Sequence, residues 1–182
     1  MQRQQLVEEI KTLMDLVARN TTWLTDSVME IDINEYTNPA QFEREKLELF
    51  RNYPQFVGPS CIVPEAGDYF AFDDTGVPIL IVRQADGGLK AFVNICSHRG
   101  APLNECDHGK AKKGRLFACP YHGWTFNNNG TVRNVPWPDG YANDVTETRF
   151  NAAQIPRVES YRGFIFGTLN MDAPELTDYL GG

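Results

Sequence analysis

The chain has 182 residues, 42% of them hydrophobic and 23% charged, with a formal net charge of −7. That length suits one domain with a real core plus a peripheral element, and the acidic balance excludes a protein whose affinity comes from neutralising nucleic-acid phosphates. Four cysteines are too few to suggest a covalently cross-linked scaffold, no basic region precedes an apolar stretch at the N-terminus, and no apolar run approaches a membrane span; a cytoplasmic protein is expected.

Residues 4–19 place Leu6, Val7, Ile10, Leu13, Met14 and Val17 on one face with charges opposite, the spacing of an amphipathic helix that needs a partner surface. That partner is the following domain, a neighbouring subunit or a second copy. A second helix is expected from Asn38 to about Asn52, where Asn38 caps, Pro39 takes the first helical position and Gln41 completes a capping-box-like entry. Together the two make a helical arm.

From Cys61 the pattern changes to short strands broken by turn residues. Asp68–Phe72 and Pro78–Gln84 flank Asp73-Asp74-Thr75-Gly76, and Leu89–Ile95 follows Asp86-Gly87-Gly88. Arg115–Ala118, Trp124–Phe126 and Thr131–Asn134 continue the series, with a turn at Asn127-Asn128-Asn129-Gly130. After the Pro- and Gly-rich stretch Val135–Tyr141, strands at Ile155–Ser160 and Gly163–Leu169 close an antiparallel, mainly β structure.

The chemistry concentrates in two segments, Cys96-Ser97-His98-Arg99-Gly100 and Cys119-Pro120-Tyr121-His122-Gly123-Trp124. Each offers one thiolate and one imidazole from a glycine-closed loop. Facing each other they supply two sulfur and two nitrogen ligands, which fits tetrahedral zinc or an iron–sulfur cluster. The mixed pairing favours the cluster, because zinc modules more often draw a Cys-x-x-Cys pair from one turn and histidines from another. Cys106-Asp107-His108 repeats the Cys-x-His spacing without the following Arg-Gly. Cys106 is therefore read as a small apolar loop residue, His108 as a surface residue, and Cys61, beside Ile62 and Val63, as a buried small hydrophobe.

With these residues in view, the sequence resembles the Rieske [2Fe–2S] domain of the alpha (large) subunits of aromatic ring-hydroxylating oxygenases. Gly67-Asp68-Tyr69-Phe70, Pro78–Arg83, Ala91-Phe92-Val93-Asn94 and Pro156–Gly163 stand in that family's order. The likeness covers positions 38 to 172. One departure is the twenty residues, 99–118, between His98 and Cys119, a few more than usual, which places the extra length around Cys106 to Lys113.

The resemblance implies a Rieske-type antiparallel β-sandwich with two cluster-binding loops, preceded by the helical arm. It divides the chain into an arm (1–52), a Rieske domain (53–172) and the truncated start of a linker or catalytic domain (173–182). Cys96 and Cys119 would bind one iron, His98 and His122 the other, with Arg99, Gly100, Pro120, Tyr121, Gly123 and Trp124 supporting them. The glycines would let backbone approach the cluster, Pro120 would stiffen the second loop, and Tyr121 and Trp124 would keep water away. The electron would settle on the histidine-bound iron, making the imidazoles the exit route, with His122 the one that hands over.

High-potential Rieske proteins carry an extra cysteine in each loop and a serine after the second His-Gly. This chain has Ala101, Tyr121 and Trp124 there, so a potential toward the lower end of about −150 to +300 mV is expected. Implied partners are a ferredoxin or reductase donor, an oxygenase catalytic domain or neighbouring alpha subunit, and further copies of the chain in a homo-oligomer. The family's mononuclear iron needs two histidines and a carboxylate. Of three histidines here the cluster would claim two, so hydroxylation is expected to need residues outside this sequence. The alternative is a stand-alone Rieske-type ferredoxin, against which the helical arm speaks. The basic cluster Lys110, Lys112, Lys113 and Arg115 is either a solvated loop or a docking patch for an acidic redox partner.

Overall fold

The structure is a computed structural model, and it describes residues 3–74, 76–104, 107–111, 116–141 and 148–181. Cys106, Lys112, Lys113 and Arg115, and with them the start of one expected strand and part of the lengthened loop, lie outside the described residues. The chain divides into two compact units: residues up to Arg44 together with those from Pro174 onward, and Glu45–Ala173.

In the first unit, helix α1 spans Arg3–Ala18. It stops where Asn20 turns left-handed (φ +51°). There the Asn20 N–H donates to the Val17 carbonyl and the Thr21 N–H to that of Leu16, a Schellman closure that satisfies the last carbonyls. The expected stripe is present and bare: Met14 is 67% and Val17 77% exposed, while Leu16, outside the predicted set, is buried. A short helix α2 (Asn34–Thr37), which the sequence did not suggest, precedes α3 (Pro39–Glu45). Asn38 caps as expected, its Oδ1 accepting from the Ala40 N–H at 2.9 Å, but its own N–H goes to the Asn34 carbonyl while Gln41 receives Arg44. A helix α4, Leu176–Tyr179, forms near the C-terminal end.

The second unit begins with a π-helical turn, Lys46–Phe50, and then, among the described residues, holds ten strands. They are β1 (Gln55–Pro59), β2 (Asp68–Phe72), β3 (Ile79–Arg83), β4 (Leu89–Val93), β5 (His108–Lys110), β6 (Leu116–Ala118), β7 (Thr125–Asn127), β8 (Val132–Asn134), β9 (Arg157–Tyr161) and β10 (Phe164–Thr168). All described pairings are antiparallel, in three sheets ordered β1-β10-β9, β4-β3-β2-β5 and β6-β7-β8. The expected mainly β architecture holds.

Strand β3 sets the layering. Its run Ile79-Leu80-Ile81-Val82 is buried throughout, the mark of a strand covered on both faces. Ile79 and Ile81 join Val57, Phe70 and Ile165 in one cluster, whereas Leu80 and Val82 join Tyr69, Phe92, Phe117 and Trp124 in another. The period-two alternation of a strand thus puts the central sheet between two cores, and the second core contains both Cys96 and Cys119.

Cys61 corrects an expectation. It is exposed, because the 3-10 turn Ser60–Ile62 aims it outward and gives the interior position to Val63. His108 is exposed on β5, as expected. Lys110 is engaged, its Nζ 2.6 Å from Glu65 Oε2 and 3.6 Å from Asp68 Oδ1.

Candidate metal centre

The first candidate loop leaves β4 and the second joins β6 to β7. They share one backbone plan. In the first, the Cys96 N–H donates to the Ala101 carbonyl at 2.7 Å and the Gly100 N–H to the Cys96 carbonyl at 2.9 Å. In the second, the Cys119 N–H donates to the Trp124 carbonyl at 2.8 Å and the Gly123 N–H to the Cys119 carbonyl at 3.1 Å. Cysteine and glycine hold the same places in both turns; histidine is third in one and fourth in the other.

Gly100 and Gly123 have φ of +77° and +73°. A Cβ would meet no other atom of the chain within 4 Å at Gly100, and only Pro136 Cγ at 3.5 Å at Gly123. Within the chain itself, then, these positions require glycine for its left-handed backbone.

The first loop is also tied down at its far end. Asn94, buried, donates from Nδ2 to the Asn104 carbonyl at 2.8 Å and accepts from the Asn104 N–H at 3.0 Å. Asn104 Oδ1 in turn receives the Tyr69 hydroxyl at 2.9 Å. The Ser97 hydroxyl donates to the Phe150 carbonyl at 2.5 Å.

The four candidate ligands separate by type. Cys96 and Cys119 are buried, 2% and 4% exposed, and lie close enough for the Cys119 thiol to act on that of Cys96. His98 and His122 are half-buried, with ring centroids 4.8 Å apart. Burial pushes the Cys96 thiol above its ordinary pKa and the neighbouring Cys119 adds to that, while the backbone N–H groups of His98 and Arg99 pull it down. His98 is held below its ordinary pKa, mainly by loss of water and further by His122 and Arg99. The site therefore favours neutral imidazole, the ligand form.

This donor set fits a two-iron cluster. Two ionised sulfurs side by side in a buried site need a local positive charge, which bound iron supplies. A [2Fe–2S] centre of mixed ligation asks for two pairs, one of sulfurs and one of nitrogens.

Of the supporting residues, Trp124 is 1% exposed and lies under the His98 ring. Tyr121 is exposed instead of shielding; its ring sits 3.9 Å from that of His122, with the Arg99 guanidinium 5.8 Å from its centroid. The sequence did not single out Tyr141, Phe150, Ser97 or Asn94. Tyr141 Oη lies 3.2 Å from His98 Nε2, and its ring and that of Phe150 meet Trp124 edge-on. A lone Tyr at the end of a Pro- and Gly-rich stretch carries no signal of this. Asn94, directly after a strand and two residues before the first cysteine, carried a weak one.

The sequence-family model of the Rieske [2Fe-2S] domain matches residues 54–160. The large oxygenase component of a naphthalene 1,2-dioxygenase system from Ralstonia sp is 36% identical over 141 residues, covering 77% of this chain and 31% of the relative. Biphenyl 2,3-dioxygenase subunit alpha from Rhodococcus jostii (strain RHA1) is 32% identical over 174 residues, covering 91% and 37%. Among solved structures, the apo form of a quaternary ammonium Rieske monooxygenase superposes with a TM-score of 0.75 at 31% identity, covering 86% of this chain and 44% of that one. Naphthalene 1,2-dioxygenase from Rhodococcus sp. bound to indole gives 0.73 at 32% identity, covering 79% and 32%. The chain spans about a third of the length of the curated relatives it matches.

Proposed function

The chain belongs to the Rieske [2Fe-2S] domain family, and on that premise we propose that it is the electron-transfer part of a ring-hydroxylating oxygenase alpha subunit. In this reading Cys96 and Cys119 hold one iron of the cluster and His98 and His122 the other. The observation that carries it is the pair of matched loops, in which two buried thiols come close to each other and two imidazoles stand 4.8 Å apart. When bound, the cluster supplies a one-electron couple at low potential. The chain's own residues keep that couple usable: the His98 and Arg99 amides favour the ionised Cys96 sulfur, Trp124 excludes water from one side, and the His122 edge is the route outward.

Electrons would arrive from a ferredoxin or reductase and leave for a mononuclear iron in an oxygenase catalytic domain or a neighbouring alpha subunit. Residues 53–172 form the Rieske domain, and the arm, 1–52, is a docking element whose bare apolar stripe suits a subunit contact or a second copy. A cytoplasmic location suits the free thiols of Cys61, Cys96 and Cys119; among the described residues no helix is long and apolar enough to cross a membrane.

Electron paramagnetic resonance of the dithionite-reduced protein, prepared without oxygen, tests the assignment together with its visible absorption. A rhombic signal distinct from that of an all-cysteine cluster is expected. A colourless, silent protein holding stoichiometric zinc would sink it. The isolated chain should be redox-active with a midpoint toward the low end for Rieske centres, and should form no oxygenated product.

A further inference from the structure

The two imidazoles have different surroundings. His98 lies flat on the Trp124 indole, planes 1° apart and centroids 5.0 Å apart, and Tyr141 meets it edge-on with Oη 3.2 Å from Nε2. His122 is touched by the His98 edge and by the exposed Tyr121 ring. Among the described residues, no side chain hydrogen-bonds to the His122 ring.

The position of Tyr141 is built. Trp137 takes a left-handed φ of +52° although it is a bulky, exposed residue, a conformation that needs support from its surroundings. The chain then tightens into the 3-10 turn Pro138–Tyr141, closed by the Gly140 N–H on the Trp137 carbonyl at 3.1 Å. That turn delivers the phenol to the side of the stacked His98 and Trp124 rings, meeting the indole at 5.5 Å and 81°.

With Nε2 engaged, Nδ1 is the nitrogen His98 has left for a metal. An imidazole bound through Nδ1 carries its proton on Nε2, so Nε2–H donates and the Tyr141 oxygen accepts. We infer that Tyr141 is a positioning residue for His98, fixing the tautomer that offers Nδ1 to the cluster and strengthening that imidazole, and only that one, as a donor. The inference rests on the ligand assignment proposed above.

The test is Tyr141→Phe in the cluster-loaded protein, measured at one fixed neutral pH by potentiometric titration and by pulsed EPR of the two ligand nitrogens. Loss of the acceptor makes His98 a poorer donor to ferric iron, so the midpoint should move positive. One nitrogen coupling should change while the other stays. Unchanged midpoint and couplings would overturn the inference, as would an equal change in both nitrogens, which would signify general loosening. Should the phenylalanine protein lose its cluster, 3-fluorotyrosine at position 141 keeps the shape and weakens the oxygen as acceptor. It must then shift the midpoint the same way, and no shift overturns the inference. A wild-type protein without a mixed-ligand signal refutes the ligand assignment itself, before any variant is made, and this inference with it.

Discussion

The Trp124 indole and the His98 imidazole lie parallel within 1°, although the tryptophan closes one candidate loop and the histidine belongs to the other. Through its carbonyl, Trp124 also accepts the Cys119 N–H. One residue therefore completes the backbone of the second loop and provides the floor on which the first loop's ligand rests. Displacing it disturbs both halves of the site together.

Trp124→Ala should lower the free energy of unfolding by about 3–5 kcal/mol, the usual cost of removing a buried large aromatic side chain, and reduce iron bound per chain. Tyr121→Ala, at an exposed side chain, should stay within about 0.5 kcal/mol. Denaturant titration with iron analysis separates the two; equal losses would contradict the roles given to these rings.

Cys96→Ser and Cys119→Ser should each abolish the mixed-ligand EPR signal, and His98→Ala and His122→Ala should do the same. Cys61→Ser and His108→Ala should leave it intact, since both side chains are exposed and lie outside the two loops. Loss of the signal in His108→Ala would return the Cys106-x-His108 pair to consideration.

Asn94→Ala removes its two hydrogen bonds to the Asn104 backbone. A cost of about 1–3 kcal/mol is expected from the buried groups left behind. Hydrogen exchange at the Asn104 amide should quicken more than exchange in β3. A uniform change across the domain would mean that Asn94 holds the core and not the loop.

Gly123→Ala should cost about 1–2 kcal/mol for its left-handed backbone alone, because the nearest atom to the added methyl is Pro136 Cγ at 3.5 Å. Gly100→Ala should cost about the same, having still more room. A much larger loss at either, read by thermal unfolding of metal-free protein, would point to packing that the geometry does not contain.

Most strands were legible because local pattern and burial agree in them. The run Ile79-Leu80-Ile81-Val82 could belong only to a strand covered on both sides or to a buried helix, and the flanking turns decided it. Strand β1 escaped because its pairing with β10 shifts between Phe56 and Gly58, and a bulge breaks the alternation that marks a strand. Strand β5 is three residues with glycine at its centre and has no apolar pattern to read.

The four candidate ligands were legible because two glycine-closed Cys/His motifs are improbable by chance. What surrounds them was not. Tyr141 reaches His98 across 43 positions of sequence, through a turn whose form depends on one strained tryptophan. Cys61 was misread because apolar neighbours suggest burial, yet a 3-10 turn points adjacent side chains in different directions. Composition names donors well; it does not say which way a turn aims them.

The closeness of the buried Cys96 and Cys119 thiols has a consequence for how the protein ages. While metal holds both sulfurs, neither can attack the other. Once the metal is lost, air oxidation meets two sulfurs already side by side, and a disulfide between them closes the site to re-entry of iron. Damage that begins as the reversible escape of a cofactor would become permanent in oxygen and remain repairable in a reducing cell. Protein stored without metal should therefore regain iron only after treatment with a thiol reductant.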